Sequence, residues 1–236
     1  MSRPLDWNEI DLVVFDVDGT LYNQRRLRVA MLRPLIAHAW QSCSIDALRT
    51  LRTFRRVREA LGNEAATDFL QQQYARTASR HNKTSDEVRL LTTEWMEQRP
   101  LPMLAACRYP QVDALFAALR AHGKQIAVFS DYPALEKLAA LGLNADPVVC
   151  ATDPDIARLK PDPTGLLEIL RRTGIPAQRT LMIGDRADRD GVAARRAGVS
   201  ALILGGATHP EFGIFRRYDD PVFAPLLMRT GASAPA

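Results

Sequence analysis

Leu12-Val13-Val14-Phe15 is an unbroken apolar run, β-branched at its centre, that stops abruptly at Asp16-Val17-Asp18-Gly19-Thr20. A run this short and this uniformly apolar is the pattern of a strand buried on both faces. Such a strand needs helices above and below it, which confines the chain to a layered α/β architecture. The pattern returns along the sequence. Gln125-Ile126-Ala127-Val128-Phe129 runs into Ser130-Asp131, Arg179-Thr180-Leu181-Met182-Ile183 into Gly184-Asp185, and Ser200-Ala201-Leu202-Ile203-Leu204 into Gly205-Gly206. A weaker strand, Pro147-Val148-Val149-Cys150, lies between them. Helical patterns separate these strands over Val112–His122, Ala134–Leu141, Thr164–Thr173 and Gly191–Ala197, and each stops at a glycine: Gly123, Gly142, Gly174 and Gly198. The alternation predicts a parallel α/β sheet, and such sheets bind ligands beyond the carboxyl ends of their strands, where every one of these polar tips falls.

Residues 24–106 break the alternation. They hold no convincing strand, and helical patterns run over Leu27–Gln41, Ile45–Leu61, Glu64–Arg80 and Ser85–Gln98. Gly62-Asn63 and Asn82-Lys83-Thr84 punctuate them, Ser85 with Glu87 and Glu94 fits a helix start, and Pro100, Pro102 and Pro110 close the segment. The reading is an all-helical domain over 24–106, inserted into a discontinuous α/β core domain made of 1–23 and 107–236. Trp40 and Trp95 fall on the inserted helices and read as core. Thr230–Ala236 reads as a frayed end.

Composition narrows the function classes. With 47% hydrophobic and 25% charged residues, the chain is not a disordered one. Cys43, Cys107 and Cys150 are far apart and form no CxxC pair, so neither a disulfide scaffold nor a zinc site is expected, and the cysteines read as packing residues. No apolar run approaches the roughly 18 residues of a membrane span, and Met1–Glu9 has no signal-peptide core, so a cytoplasmic protein without membrane partners is expected. The net charge is +4, and 27 of the 31 basic residues are arginine. Arg52-Thr53-Phe54-Arg55-Arg56 and Arg195-Arg196 alternate with acids and apolar residues at helical spacing and read as solvated faces, so no nucleic-acid partner is expected. His38, His81, His122 and His209 are scattered and read as surface or satisfied side chains, with His209 worth inspection after its strand end.

The strand tips carry the chemistry. Asp16 and Asp18 lie two apart, a spacing that lets one side chain and one backbone carbonyl face the same ion. Hard cations such as Mg²⁺ take oxygen ligands of this kind. Asp185 and Asp190 bring further carboxylates, with Asp188 between them, and Ser130 brings a hydroxyl. Lys160, ahead of Pro161-Asp162-Pro163, can balance a phosphoryl group and hold a nucleophile in place. The set is an anion-and-metal site with a candidate carboxylate nucleophile and a second carboxylate for general acid and base work. Asp131 reads equally as a helix cap ahead of Pro133 or as a substrate contact. Arg186 reads as pairing with a nearby acid.

These segments resemble the motifs of the haloacid dehalogenase superfamily of hydrolases. Asp16-Val17-Asp18-Gly19-Thr20-Leu21 resembles the first motif, DxDGT[LV], and Phe129-Ser130 the second, a hydrophobic run ending in Ser or Thr. Lys160-Pro161-Asp162-Pro163 resembles the third, in its KPxP form, and Gly184-Asp185-Arg186-Ala187-Asp188-Arg189-Asp190 the fourth, in its GDRxxxD form. Tyr109-Pro110-Gln111-Val112 resembles the YPGV segment that re-enters the core, with Gln in place of Gly. The resemblance covers residues 10–24 and 107–205 and implies a Rossmann-like core, and the helical insert has the position and size of the family's C1 cap. It implies a Mg²⁺-dependent phosphatase of small phosphorylated metabolites, such as phosphoglycolate, sugar phosphates or nucleotide monophosphates. In that scheme Asp16 forms an aspartyl-phosphate, and Asp18 acts as acid and then base. Thr20, Ser130 and Lys160 hold the phosphoryl group. Asp16, the Asp18 carbonyl and Asp185 hold the metal, with Asp190 behind them. The same residues also fit a phosphomutase of the β-phosphoglucomutase type, or a binding module that kept the fold without the chemistry. Asp18 argues against the dehalogenase branch, which lacks an acid there. Asp131, where the family often has Asn, leaves the substrate class open.

Overall fold

The computed structural model describes residues 5–41, 44–206 and 208–228; Cys43 and the Thr230–Ala236 tail lie outside them. Six parallel strands form one sheet: β1 (Leu12–Phe15), β2 (Gln125–Ser130), β3 (Val148–Cys150), β4 (Thr180–Gly184), β5 (Ser200–Leu204) and β6 (Gly213–Phe215). Their order is β3-β2-β1-β4-β5-β6. The winding therefore reverses between β1 and β4, the point at which such sheets open a crevice for ligands. β1 sits between β2 and β4, with Phe15 beside Val128 and Ile183. All four β1 side chains are fully buried. Val13 and Phe15 pack into one core with Leu115, Phe116, Leu119 and Leu138, while Leu12 and Val14 pack into the other with Leu166, Ile169 and Ala194. This alternation across two buried faces is why the strand reads as continuously apolar, and each such burial stabilises by about 1.5–3 kcal/mol.

Helices α6 (Val112–Ala121), α7 (Leu135–Leu141), α8 (Thr164–Thr173) and α9 (Val192–Arg196) follow the expected patterns to within a few residues, and α9 is led by a π turn over Ala187–Gly191. Short α10 (Ala224–Leu227) closes the described chain. β6 was not expected; three residues flanked by bends carry no periodic signal. Gln111 stands where YPGV has glycine and adopts a left-handed φ of 68°, the conformation glycine favours.

Between β1 and α6 the chain is helical: α1 (Gln24–Gln41), α2 (Asp46–Asn63), α3 (Phe69–His81), α4 (Ser85–Thr92) with a π turn over Thr93–Gln98, and α5 (Leu101–Cys107). Several boundaries differ from expectation for identifiable reasons. α2 runs through Gly62 because that glycine serves close approach, not termination; a Cβ there would sit 2.5 Å from Arg189 Nη1. The next helix starts at Phe69 instead of Glu64, because Ala65 turns left-handed with φ 51°. Thr84, not Ser85, caps α4: its hydroxyl accepts from the Glu87 N–H, and the Glu87 carboxylate accepts from the Thr84 N–H in return. Pro100 and Pro102 do not end the helical segment, since Pro102 sits in the first turn of α5, where its missing N–H costs no hydrogen bond; Pro110 follows that helix. Trp95 is buried as expected, whereas Trp40 is 85% exposed and not a core residue.

Two buried arginines tie α2 to the sheet's loops from opposite sides. Arg58 of α2 donates to the Asp131 carbonyl and stacks 3.8 Å from the Tyr132 ring. Arg189, from the loop after β4, donates to the Lys160 carbonyl, the Glu59 carbonyl and Asn63 Oδ1. R189M leaves the Lys160 carbonyl, whose contact is buried, without its donor. It should lower unfolding free energy by about 1–3 kcal/mol, read as a lower urea midpoint at constant slope.

Candidate active site

Strands β1, β2 and β4 end side by side, and their tips converge on Asp16. The side chain of Asp16 is gripped from two directions. Thr20 Oγ1 donates to its Oδ2 at 2.8 Å, and Lys160 Nζ donates to its Oδ1 at 2.6 Å. Lys160 is only 2% exposed and spends its other donors on Asp190 Oδ1 at 2.7 Å and the Phe129 carbonyl at 3.2 Å. Asp190 in turn uses Oδ2 to accept the N–H groups of Asp185 and Arg186, at 3.2 and 3.0 Å. Thr20 is held through its carbonyl, which accepts the Tyr218 hydroxyl at 2.7 Å.

Carboxylate oxygens of Asp16, Asp185 and Asp190 lie within 4.8 Å of one another. One ammonium faces three carboxylates, and the imbalance shows in their acidity. Burial, only partly offset by Lys160, pushes Asp16 up to about 6, with Asp190 and Asp18 adding to the rise. Burial and the neighbouring charges of Asp16 and Asp190 push Asp185 up to about 8. Lys160 pays a desolvation penalty, yet Asp16, Asp190 and Asp131 together hold its pKa well above the ordinary lysine value. An all-oxygen donor set with surplus negative charge fits a hard divalent cation. Asp16 and Asp185 could supply side-chain ligands, with Asp190 fixed behind them by Lys160 and the two backbone N–H groups.

Gly19 makes this approach possible. Its φ is 102°, and a Cβ there would collide with the Asp185 carboxylate. G19A therefore adds both backbone strain and a clash within the cluster, and should cost about 2–3 kcal/mol of stability by thermal melt.

The structure brings Asp16, Thr20, Lys160, Asp185 and Asp190 into direct contact or close approach. Asp18 lies beside them but faces elsewhere. Lys137 Nζ of α7 donates to both its oxygens at 2.7 Å, and the Tyr22 hydroxyl donates to Oδ1. Burial alone would raise the Asp18 carboxyl, but Lys137 and Tyr22 hold it below the ordinary range. Ser130 is fully buried at the end of β2, where its Oγ accepts the Tyr132 N–H at 3.2 Å. Asp131 is not the cap of α7, which begins after Ala134 without a side-chain cap. Its Oδ1 accepts the backbone N–H of Lys160 at 2.9 Å, bracing the lysine's loop, and burial raises its carboxyl. Asp188 faces outward to Arg186, which also pairs with Glu59, so Asp190 is the inner acid of the fourth segment. His209 stacks on Phe212, away from the cluster. Cys107 and Cys150 are buried, and burial followed by the Asp153 charge pushes the Cys150 thiol up to about 11.

Lys137, Tyr22, Arg58 and Arg189 are absent from the sequence-level site. Lys137 alone had a usable signal: it is one of only four lysines in a chain whose basic residues are otherwise arginine.

A crevice at the sheet's reversal point, holding a carboxylate at the first strand tip gripped by a buried lysine and ringed by acids, defines a hydrolase site of one family. The chain belongs to the haloacid dehalogenase-like hydrolases, whose family model matches residues 10–198. It is 31% identical over 216 residues to the phosphoglycolate phosphatase of Rhodospirillum rubrum, covering 88% of this chain and 86% of that one. It is 24% identical over 200 residues to the glyceraldehyde 3-phosphate phosphatase of Methanopyrus kandleri, covering 80% and 82% of the two chains. Among solved structures, the 2-haloacid dehalogenase of Pseudomonas syringae superposes with a TM-score of 0.62 at 21% identity, over 94% of this chain and all of that one, a likeness of fold. No helix among the described residues is long and apolar enough to cross a membrane.

Proposed function

We propose that the protein is a cytosolic, Mg²⁺-dependent phosphatase of small phosphate monoesters, with residues 24–106 acting as a cap over the site. The observation that carries this reading is the grip of Lys160 and Thr20 on Asp16, which leaves a carboxylate fixed at the strand end beside three further acids. The curated relatives support it, since all those matched along most of their length are phosphatases of small phosphorylated compounds.

In this reading an Asp16 oxygen attacks phosphorus, and the ester oxygen leaves with a proton from Asp18. An aspartyl-phosphate remains. A water then attacks phosphorus, giving its proton to the Asp18 carboxylate, and the bond from phosphorus to Asp16 breaks. Lys160 holds Asp16 in line and offsets charge on the transferring group, which Thr20 and Ser130 help to position. Bound between Asp16, the Asp18 carbonyl and Asp185, Mg²⁺ would supply further charge neutralisation for the phosphoryl oxygens. Lys137 and Tyr22 favour the ionised form of Asp18, so the acid step requires Asp18 to exchange the ammonium for a proton as substrate enters. The cap keeps bulk water from the intermediate.

The test is phosphate release from a panel of phosphorylated metabolites, with Mg²⁺ and with EDTA. Release that needs the metal is expected. Isomerisation outpacing phosphate release on addition of a bisphosphate would instead make the protein a mutase.

A further inference from the structure

A cavity of about 620 Å³ reaches from Asp16 and Lys160 to the helices α1 and α2. Its deep wall is apolar: Leu27 and Met31 of α1, Leu51 of α2, Trp95 and Leu104 are all buried. The apolar wall does not stop at the surface. Leu32 of α1 and Leu48 of α2 also line the cavity, yet they are 49% and 48% exposed, so they stand at its mouth.

Beyond the mouth both rows continue. Ile36 lies four residues past Leu32 on α1, and Ile45, which leads into α2, lies three residues ahead of Leu48. Residues at these spacings are neighbours on one helix face. Ile36 is 65% and Ile45 50% exposed. Two apolar rows, one on each helix, therefore run from buried beside the acids to exposed outside. A contiguous exposed apolar surface marks a place that another apolar group covers. Here that surface is continuous with the wall of the cavity that holds Asp16. Arg28, Arg52, Arg55 and Arg56 line the cavity as well, and all four are exposed. Side chains of this type lay their methylene stems on apolar surface and keep their charge in water, so they border the rows without making the deep wall polar.

Resting on the phosphatase reading, we propose that the natural substrate is an amphiphile, the phosphate monoester of a long-chain aliphatic alcohol. The phosphoryl end sits at Asp16. The chain lies along Leu27, Met31 and Leu51, leaves the cavity between Leu32 and Leu48, and ends against Ile36 and Ile45. Hydrolysis breaks the bond from phosphorus to the ester oxygen, which departs with a proton as the long-chain alcohol, while the oxygen of water stays on phosphorus as inorganic phosphate. A two-carbon or three-carbon leaving group fills only the inner end and leaves both rows wet. Leu32 and Leu48 are specificity-determining residues in this scheme and take no part in bond making.

The test measures kcat/KM with Mg²⁺ for ethyl, butyl, hexyl, octyl and decyl phosphate, each below its micelle-forming concentration, beside phosphoglycolate. Octyl phosphate should exceed ethyl phosphate by about a hundredfold or more, since each methylene taken out of water is worth up to about fourfold. L32Q/L48Q should shrink that ratio, mainly through the KM for octyl phosphate; both side chains are half exposed, so the double variant should fold. A flat series, phosphoglycolate outrunning octyl phosphate, or a rise that survives L32Q/L48Q overturns the proposal while leaving the phosphatase intact. Sedimentation reads the rival occupant: a dimer dispersed by L32Q/L48Q, with no rise along the series, makes the rows an interface between copies and also overturns it. If nothing releases phosphate, the phosphatase reading falls, and calorimetric titration of the protein with octyl and ethyl phosphate decides the chain site. Tighter binding of octyl phosphate, weakened by L32Q/L48Q, supports that site, and equal binding removes it.

Discussion

D16N should lower phosphate release by at least about 10³-fold while leaving the fold intact. The amide is isosteric with the carboxylate but cannot attack phosphorus. Its oxygen can still accept from Thr20, and Lys160 keeps Asp190 and the Phe129 carbonyl as partners. Because Asp16 is one of three crowded carboxylates, removing its charge relieves repulsion, so the melting temperature without metal should hold or rise. Loss of activity with an unchanged or higher melting temperature separates a chemical role from a structural one. A variant retaining a tenth of the wild-type rate would place the nucleophile elsewhere.

K160M should have the largest effect on stability of any single substitution in the site. The ammonium is enclosed, and among the described residues it is the one cation bonded to both Asp16 and Asp190. Removing it leaves two buried charges without compensation, a loss of about 3–5 kcal/mol in systems of this kind. The double variant K160M/D190N should recover part of that loss, because the charge left unpaired in the single variant is then gone. A double-mutant cycle in urea reads this coupling directly. Additive losses would mean that Asp190 and Lys160 stabilise the protein independently. Mg²⁺ should raise the melting temperature of K160M more than that of the wild type, since the cation answers the same surplus of negative charge. Activity should not return with stability, because Asp16 has lost the group that holds it in line.

Much of the sheet was legible because its strands are short, apolar on both faces and end in polar tips. Leu12–Phe15 needs no context to be read. Asp16 and Asp185 stand directly after two of those strands, and Asp190 and Lys160 follow in the connections beyond β4 and β3, so the order of the segments along the chain pointed to the acids and the lysine together. What escaped was everything settled by contact between distant segments. Nothing local says that Lys137, in the ordinary helical stretch Leu135-Glu136-Lys137-Leu138, reaches Asp18. Gly62 looks like a helix stop until Arg189 is seen lying against it. Trp40 and Trp95 carry the same signal, a large aromatic on a predicted helix, yet only Trp95 is enclosed. Asp131 was open between cap and substrate contact; it does not cap α7, it lines the cavity, and it receives a backbone N–H from the Lys160 loop, a partner 29 residues away.

The four lysines have a further consequence. Lys83 pairs with Asp46 at 2.6 Å, Lys124 donates to the carbonyls of Trp7 and Ile10, Lys137 holds Asp18, and Lys160 is buried against Asp16. Every side-chain amine in the protein is already committed to an oxygen partner. Reagents that acylate or reductively alkylate amines therefore meet no idle lysine side chain. Labelling, immobilisation or crosslinking through lysine acts on an ion pair, a capped loop or the neighbourhood of Asp18. Attachment through the abundant guanidinium groups, or through an introduced cysteine, leaves those contacts whole.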